Sequence, residues 1–376
     1  MPESDSPRSW TRQMSYNRGM AHISLVLPFA LPAPEFAPDL ARALDAPALA
    51  ALLSRTSASY RTPLSPSARS LPHEHWIAAA LGLDRHDEPA VAAAAMRGFG
   101  LDPQDGFWFV VNPGHIQIAN THLMMGDMRQ LDLREDEGRA LFDGARESFR
   151  ELGYDLAYGS ADTWFMRADD WSELLTASPD AATGMNLTDW MPTGPTARAF
   201  RKLQNEVQVG WYTHPVNAAR EKRGRLPVNS IWPWGGASLA TEEANRLVAS
   251  AGRRGAASRP TLVTHAVPGW LTALSSQSAD SLDALLASID DPAAGQLLLV
   301  AGNAASPAIA ADWEGWLRAM QAFEQSLFAP LLAGIGRGRI KRLTLVLSHR
   351  DGHLELDTTP MAQRKFWRRP TLEALT

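Results

Sequence analysis

Short apolar runs alternate with segments of helical periodicity along much of the chain. The runs are typical of strands buried on both faces of a sheet. They lie at residues 23–27, 261–264, 296–301 and 343–347. Two segments in the last third, 282–289 and 312–331, carry apolar residues at helical spacing. Apolar strands that alternate with helices predict an α/β fold, in which helices cover both faces of a mainly parallel sheet.

Turn residues divide the first part of the chain into further elements. Residues 38–55 have the leucine and alanine spacing of one helix. Two β-rich runs, 107–111 and 116–119, flank Asn112-Pro113-Gly114, and this pattern predicts a hairpin.

The middle of the chain has a different character from its ends. Strand and amphipathic-helix patterns over residues 100–200 predict an inserted α+β subdomain. The α/β core is then expected from 20–99 and 201–376. Residues 1–19 are polar and without periodicity, so we expect a disordered tail there.

Composition removes several classes of function. The chain of 376 residues contains no cysteine, which excludes disulfides, zinc–cysteine sites, iron–sulfur clusters and a cysteine nucleophile. A formal net charge of −5 argues against a nucleic-acid binder. No apolar run approaches the roughly 18 residues that a membrane span requires. We therefore expect a cytoplasmic protein without a membrane partner.

Residues 214–236, HPVNAAREKRGRLPVNSIWPWGG, form the strongest candidate site. Guanidinium groups and amides close together suit a phosphate or carboxylate, and a double glycine lets backbone N–H groups approach a ligand. The predicted ligand-binding residues are His214, Asn217, Arg220, Arg223, Asn229, Trp232, Trp234 and Gly235. A structural interpretation competes with this one: the asparagines would stabilise turns and the tryptophans would fill the core.

Two further clusters have structural and functional interpretations. His349 and His353 follow a predicted core strand, but Asp351-Gly352 favours a hairpin turn over a ligand site. Residues 364–370, RKFWRRP, favour arginine stems packed on Trp367, with their charges in solvent. An acidic protein partner is the next interpretation of this segment, followed by nucleic acid.

The 214–236 segment resembles a hallmark segment of bacterial RpfE-type regulatory proteins. It is also similar to an HPxN…R…G…N…WxWG segment of archaeal-type cofactor-independent phosphoglycerate mutases, in the alkaline-phosphatase superfamily. Other segments resemble the mutases in the same order along the chain. These are DLREDEGRALFDGARESFRELGYDLAYG, ADWEGWLRAMQAFEQSLFAPLL and LTLVLSHRDGH.

The resemblance implies two divalent metals held at strand ends, and the sequence departs from that pattern. The first strand runs into SLVLPFALPA, which has no carboxylate. The loop at 302–311 has none either, and Asp312 is explained as a helix cap. The last strand ends in Ser348-His349 rather than Asp-His. Two dications need several anionic or imidazole ligands each, so we expect no metal, no cofactor and no catalytic residue.

The resulting hypothesis is a catalytically degenerate relative of these mutases. The resemblance implies a regulatory or ligand-sensing role, with a phosphorylated metabolite or another anionic small molecule as ligand and a protein as a further partner. The alternative is an active mutase or phosphoryl-transfer enzyme with an altered site. In that case His214, Arg220 and Arg223 would clamp the anion, and His349 would act as a base.

Overall fold

The chain folds into two larger sheets, two short ribbons and the helices around them. The computed structural model describes residues 21–119, 122–243, 259–290 and 296–376, so the predicted tail at 1–19 lies outside the described residues. The strands are β1 (Ala21–Leu27), β2 (Ala58–Pro63), β3 (Asp84–Arg85), β4 (Glu88–Pro89), β5 (Trp108–Gly114), β6 (Ile116–Ala119), β7 (His122–Met125), β8 (Asp155–Ser160), β9 (Thr163–Arg167), β10 (Ser230–Ala237), β11 (Thr261–His265), β12 (Gln277–Ser278), β13 (Gln296–Ala301), β14 (Ile340–Ser348) and β15 (Gly352–Thr358).

Most α-helices lie against one of the two larger sheets. They are α1 (Ala37–Ala43), α2 (Pro47–Ser54), α3 (Pro72–Leu81), α4 (Ala92–Gly98), α5 (Glu135–Glu151), α6 (Pro179–Ala182), α7 (Leu187–Trp190), α8 (Ala197–Tyr212), α9 (Pro215–Lys222), α10 (Gly269–Leu274), α11 (Leu282–Ala287), α12 (Ala305–Ile309), α13 (Trp313–Phe323), α14 (Ala329–Gly336) and α15 (Pro360–Gln363). A π-helical turn at Glu324–Phe328 joins α13 to α14. In the described part of the chain, no helix combines the length and apolar character needed to cross a membrane.

The central sheet has the strand order β12-β11-β13-β1-β14-β15-β2. Its first five strands are parallel, with Leu25 of β1 paired with Leu299 on one side and Leu345 on the other. Strand β15 is antiparallel to both β14 and β2, and β2 forms the edge. The prediction of an α/β fold with a mainly parallel sheet is confirmed.

Both faces of the central sheet are buried. Alternate residues of β1 point to opposite sides, so Leu25 packs in a core with Trp316 and Phe323 while Val26 packs in one with Trp232. Burial of each such leucine stabilises the fold by about 1.5–3 kcal/mol relative to an exposed side chain. Strands buried on both faces therefore have nearly continuous apolar sequences.

The second sheet is antiparallel, with the order β10-β5-β9-β8. Helices α5 and α8 pack on it, and Trp164 lies in the shared core with Phe149 and Phe200. Strand β10 pairs with β5, and residue 200 lies inside α8. Strand β10, at residues 230–237, thus joins a sheet whose other strands lie within residues 100–200, and the bounds of the inserted subdomain stay a prediction.

Two predictions made from local patterns are wrong. The helix predicted over 38–55 is two helices, since the chain is extended at Leu44 and α2 starts afresh at Pro47. Proline lacks the N–H that a helix interior needs but suits a first turn. The hairpin predicted around Asn112-Pro113-Gly114 does not form, because β5 runs through these residues and pairs with β10 and β9.

The π-helical turn connects distant parts of the fold. Helix α2 has no side-chain cap of its own. The Glu324 carboxylate accepts the N–H of Ala48 at 2.7 Å and of Leu49 at 3.0 Å. This carboxylate therefore satisfies amides that a helix start leaves without partners, and its charge suits the positive end of the helix dipole.

Candidate functional site

The guanidinium group of Arg220 is buried, and each of its three nitrogen atoms donates a hydrogen bond within the chain. Its Nε donates to the Leu226 carbonyl at 2.8 Å, Nη1 to Glu137 Oε2 at 2.6 Å, and Nη2 to the Leu131 carbonyl at 2.5 Å. Arg223 donates to the other oxygen of Glu137. Burial raises the pKa of Glu137, but the hydrogen bonds from Arg223, the Arg134 N–H and Arg220 outweigh burial and lower it. Arg220 and Arg223 thus converge on a carboxylate of α5.

The two asparagines of the segment hold the backbone in place. Asn217 donates to the carbonyls of Trp211 and Val228 and accepts the N–H of Val228 at 2.8 Å. Asn229 exchanges two bonds with the backbone of Ile116, each at 2.8 Å. Each amide replaces a backbone partner that the irregular chain lacks.

The aromatic side chains of the segment pack inside the protein. Trp232 donates to the Ala177 carbonyl and Trp234 to Asn112 Oδ1, each at 2.8 Å. Both indoles are 1% exposed. These two rings fill the core between the two sheets.

The ends of the segment have different roles. His214 Nδ1 accepts the Val216 N–H at 3.3 Å and caps α9. Gly235 lines a cavity that is described below. Of the eight predicted ligand-binding residues, Gly235 is the one among the residues around that cavity, and ligand binding by the others stays a prediction.

We expect Gly235→Ala to lower the free energy of unfolding by about 1–3 kcal/mol. Gly235 has a φ of +65°, and a Cβ there would lie 2.9 Å from Val91 Cγ2. Gly224→Ala is the matched control, because Gly224 has a φ of +69° but open space around its Cβ position. Urea unfolding should show the larger loss at Gly235, and equal losses would contradict a steric role for Val91.

The carboxyl ends of the central parallel strands form the second candidate region, since ligands of α/β proteins bind at this edge. Ser348, the last residue of β14, accepts the Phe29 N–H at 3.3 Å and lies 3.0 Å from His73 Nδ1. Burial lowers the pKa of His73 to about 3, helped by Arg129 and two histidines, so the ring is neutral. A neutral ring either accepts the Ser348 hydroxyl proton at Nδ1 or donates to the hydroxyl oxygen, depending on its tautomer. The Ser348 side chain therefore makes its hydrogen bonds within the protein.

His349 and His353 belong to a hairpin, as predicted from Asp351-Gly352. Ser348 pairs with His353 across the hairpin, and the His349 N–H donates to the Gly352 carbonyl at 2.9 Å. His349 Nδ1 accepts the Asp351 N–H at 3.0 Å. Burial lowers the pKa of the His349 ring.

Two carboxylates near this edge are bound by one arginine. Arg129 Nη1 donates to Asp127 at 2.8 Å and to Asp180 at 3.0 Å, and its Nη2 donates to the other Asp180 oxygen. Ser306, which follows β13, donates to the remaining Asp127 oxygen at 2.9 Å. Burial lowers the pKa of Arg129, but the two carboxylates outweigh burial and raise it. We call Asp127, Arg129 and Asp180 the carboxylate–arginine cluster, and none of these residues was predicted as a site residue from the sequence.

A second guanidinium lies at the end of β14. Arg350 Nη1 donates to the carbonyls of Asp180 and Ala181, both at 3.1 Å, and Nη2 donates to the Thr183 carbonyl at 2.7 Å. The guanidinium thus ties β14 to α6 and places a positive charge close to Asp180.

Glu74, in the first turn of α3, has a raised pKa. One oxygen accepts the Leu71 N–H at 2.7 Å and the Ser178 hydroxyl at 2.5 Å. Burial raises the pKa of Glu74 to about 8, and the charge of Asp180 adds to the effect. Glu74 therefore retains its proton at neutral pH in the folded protein.

A cavity of about 620 Å³ lies on the other side of α3. Its aromatic wall includes Trp76, Phe107 and Phe109, and its polar wall includes Arg69, Ser70, His75, Glu88 and His353. Gly235 and Gly236 of β10 complete the side formed by the second sheet. A cavity of this size and mixed lining can hold a small metabolite.

Some polar groups of the cavity wall have hydrogen-bond partners, and others have none among the described residues. Glu88 accepts the Arg69 N–H at 2.8 Å and the Ser70 hydroxyl at 2.7 Å. Arg69 Nε and His75 Nε2 are buried atoms without a hydrogen-bond partner in the described part of the chain. His75 Nε2 lies 3.9 Å from Glu88, which is beyond hydrogen-bond distance. Both side chains line the cavity, but these two nitrogen atoms are themselves covered, so a ligand can bond to them only if the side chains turn.

Across residues 21–119, 122–243, 259–290 and 296–376, no three histidine, aspartate or glutamate side chains come together as a metal site would require.

Comparison with known proteins finds distant relatives of this chain. No family model matches the chain. A 2,3-bisphosphoglycerate-independent phosphoglycerate mutase from Methanosarcina mazei is 27% identical over 129 residues, which are 31% of this chain and 30% of that protein. The Methanosarcina acetivorans mutase is 36% identical over 64 residues, or 17% of this chain and 16% of that protein. The chain is distantly similar to cofactor-independent phosphoglycerate mutases.

Two solved structures align with most of the chain at lower sequence identity. The protein PH0037 from Pyrococcus horikoshii aligns with a TM-score of 0.54 at 10% identity, over 95% of this chain and 92% of that one. The cofactor-independent phosphoglycerate mutase from Thermoplasma acidophilum aligns over 94% of both chains, with 16% identity and a TM-score of 0.42. At 10% identity, the alignment with PH0037 supports a similar fold and says nothing about function. The matched sequence regions span less than a third of the Methanosarcina mutases.

Proposed function

We propose that this chain is a catalytically degenerate relative of cofactor-independent phosphoglycerate mutases. It acts in the cytoplasm as a regulatory or ligand-sensing protein, as the resemblance of residues 214–236 to RpfE-type proteins implies. Its ligand is a phosphorylated metabolite, which binds in the 620 Å³ cavity beside Gly235. Residues 214–229 then support the fold around this site, because their polar groups bond to the chain itself.

The carboxylate–arginine cluster is the observation that carries the proposed loss of catalysis. Metal-assisted phosphoryl transfer needs carboxylates that are free to bind dications. Asp127 and Asp180 instead share the guanidinium of Arg129, and Arg350 adds a further positive charge. A dication brought there would meet two guanidinium groups and would have to displace hydrogen bonds already made.

The cavity supports the proposed ligand. A phosphate oxygen would accept hydrogen bonds from Arg69 Nε and His75 Nε2 once these side chains turn toward the cavity, since both atoms have no partner within the described residues. Glu88 already accepts two hydrogen bonds, from the Arg69 N–H and the Ser70 hydroxyl. The aromatic wall would cover the carbon skeleton of the metabolite.

Binding of 3-phosphoglycerate tests the proposed site. We expect titration calorimetry to detect binding to the wild-type protein and a loss of about tenfold in affinity for His75→Ala, since a charge-assisted hydrogen bond contributes about 1.5–3 kcal/mol. His122→Ala is the control, because His122 lies on β7 and does not line the cavity. Equal affinity of both variants for 3-phosphoglycerate would rule out this site.

Activity assays separate the proposal from an active mutase with an altered site. We expect no mutase or phosphatase turnover when the purified protein is supplied with manganese or zinc. Turnover that EDTA abolishes would refute the degenerate interpretation, whatever the result of the binding titration.

A further inference from the structure

The segment at 361–370 projects large apolar side chains into solvent. Phe366 is 82% exposed, Met361 71% and Trp367 69%, and Tyr60 of β2 is 61% exposed. The Trp367 ring meets Phe366 edge-on at a centroid distance of 5.3 Å. Exposed aromatic rings next to each other mark binding surfaces more often than single exposed residues do. The aromatic–basic surface consists of Tyr60, Met361, Arg364, Lys365, Phe366, Trp367, Arg368 and Arg369.

The positive charges of this surface lack carboxylate partners. Arg364, Lys365, Arg368 and Arg369 form no ion pair with any described residue. Lys365 donates to the Thr56 carbonyl at 2.7 Å, and Arg368 to the Ser54 carbonyl at 3.3 Å. Four cations within six residues, on a chain whose formal net charge is −5, attract an acidic partner.

An open strand edge lies beside these cations. In the described part of the chain, β2 pairs with β15 on one side and ends the central sheet on the other. Five consecutive residues of β2, 59–63, are exposed. The bond from Lys365 to Thr56 places the cations next to the start of β2. Free backbone groups on an edge strand can pair with an added strand.

We propose that the aromatic–basic surface and β2 together bind an extended acidic segment of another protein. The segment adds to the free edge of β2 through backbone hydrogen bonds. Its carboxylates meet Arg364, Arg368 and Arg369, and its apolar side chains cover Phe366 and Trp367. A strand edge favours a protein over a lipid surface or a nucleic acid, because neither of those carries the regular N–H and carbonyl pattern that pairs with a strand.

Peptide display on the intact protein tests this proposal. Random peptides are selected on the wild-type protein, and their affinities are then measured for the variant Arg368→Glu/Arg369→Glu. We expect the selected peptides to combine acidic with apolar residues and to bind this variant at least about tenfold more weakly. The control variant Arg201→Glu/Lys202→Glu, which reverses two exposed cations on α8, should bind them as the wild-type protein does.

A second measurement examines strand addition. A selected peptide with N-methyl groups at alternate residues keeps its charges but loses backbone donors. We expect it to bind at least about tenfold more weakly when the donors facing β2 are blocked. Undiminished binding in both N-methylation registers would overturn the proposal, as would selected peptides without acidic residues. Binding of phosphatidylglycerol vesicles or single-stranded DNA by the wild-type protein and not by Arg368→Glu/Arg369→Glu, without any selected peptide, would also overturn it.

Discussion

Replacement of Arg220 by methionine is expected to lower the free energy of unfolding by about 3–5 kcal/mol. The guanidinium is 1% exposed and makes an ion pair with Glu137. Methionine keeps much of the side-chain length but leaves the carbonyls of Leu131 and Leu226 without the donors they have in the wild-type protein. The loss should appear in urea unfolding as a lower midpoint with an unchanged slope.

Arg223→Met provides the comparison, because both arginines contact the same carboxylate. Arg223 is 43% exposed on its side chain, so its ion pair is screened and should contribute about 1 kcal/mol or less. A ligand-clamping role predicts a different result. If Arg220→Met unfolds like the wild-type protein but no longer binds 3-phosphoglycerate, Arg220 acts on a ligand and its structural role is refuted.

Replacement of Glu74 by glutamine is expected to change how stability depends on pH. The folded protein retains the Glu74 proton up to about pH 8, because burial raises the pKa of this carboxyl to about 8 from 4.5 in a free glutamate. Between these values the unfolded chain binds fewer protons, so the unfolding free energy of the wild-type protein falls as the pH rises, by up to about 1.4 kcal/mol per pH unit. This contribution is fully present below the unfolded pKa and is lost by about pH 8.

Glutamine cannot titrate, and its side-chain oxygen can still accept the bonds from Leu71 and Ser178. The stability of Glu74→Gln relative to the wild-type protein should therefore rise by about 2–5 kcal/mol between pH 5 and pH 8. Urea unfolding of both proteins at each pH gives this difference and cancels the other titrating groups. A difference that stays constant over this interval would show that Glu74 ionises normally in the fold.

The central sheet could be predicted because its strands are buried on both faces. Strands β1, β13 and β14 are nearly continuous apolar runs, and such runs need no long-range information. The pairing of β5 with β10 could not be predicted this way. Asn112-Pro113-Gly114 has the residues of a turn, and its place inside a strand depends on a partner more than a hundred residues away.

The candidate site was harder to predict for a similar reason. Segments far apart in the chain form the carboxylate–arginine cluster, and neither Asp127 nor Asp180 belongs to a recognisable motif. A weak signal was present, since Asp127 caps a short 3-10 helix that carries Arg129. In residues 214–236 the residue types suited both a structural role and a ligand site. The partners of Arg220 become known only from the three-dimensional structure, because Glu137 lies 83 residues earlier in the chain.

The bond between Glu324 and α2 affects the order in which the protein can form on the ribosome. The carboxylate that receives the first amides of α2 lies 276 residues after Ala48. A nascent chain must therefore expose these amides to water until most of the polypeptide has left the exit tunnel. We expect the first helices to be completed late during translation, when the C-terminal third arrives to close the structure.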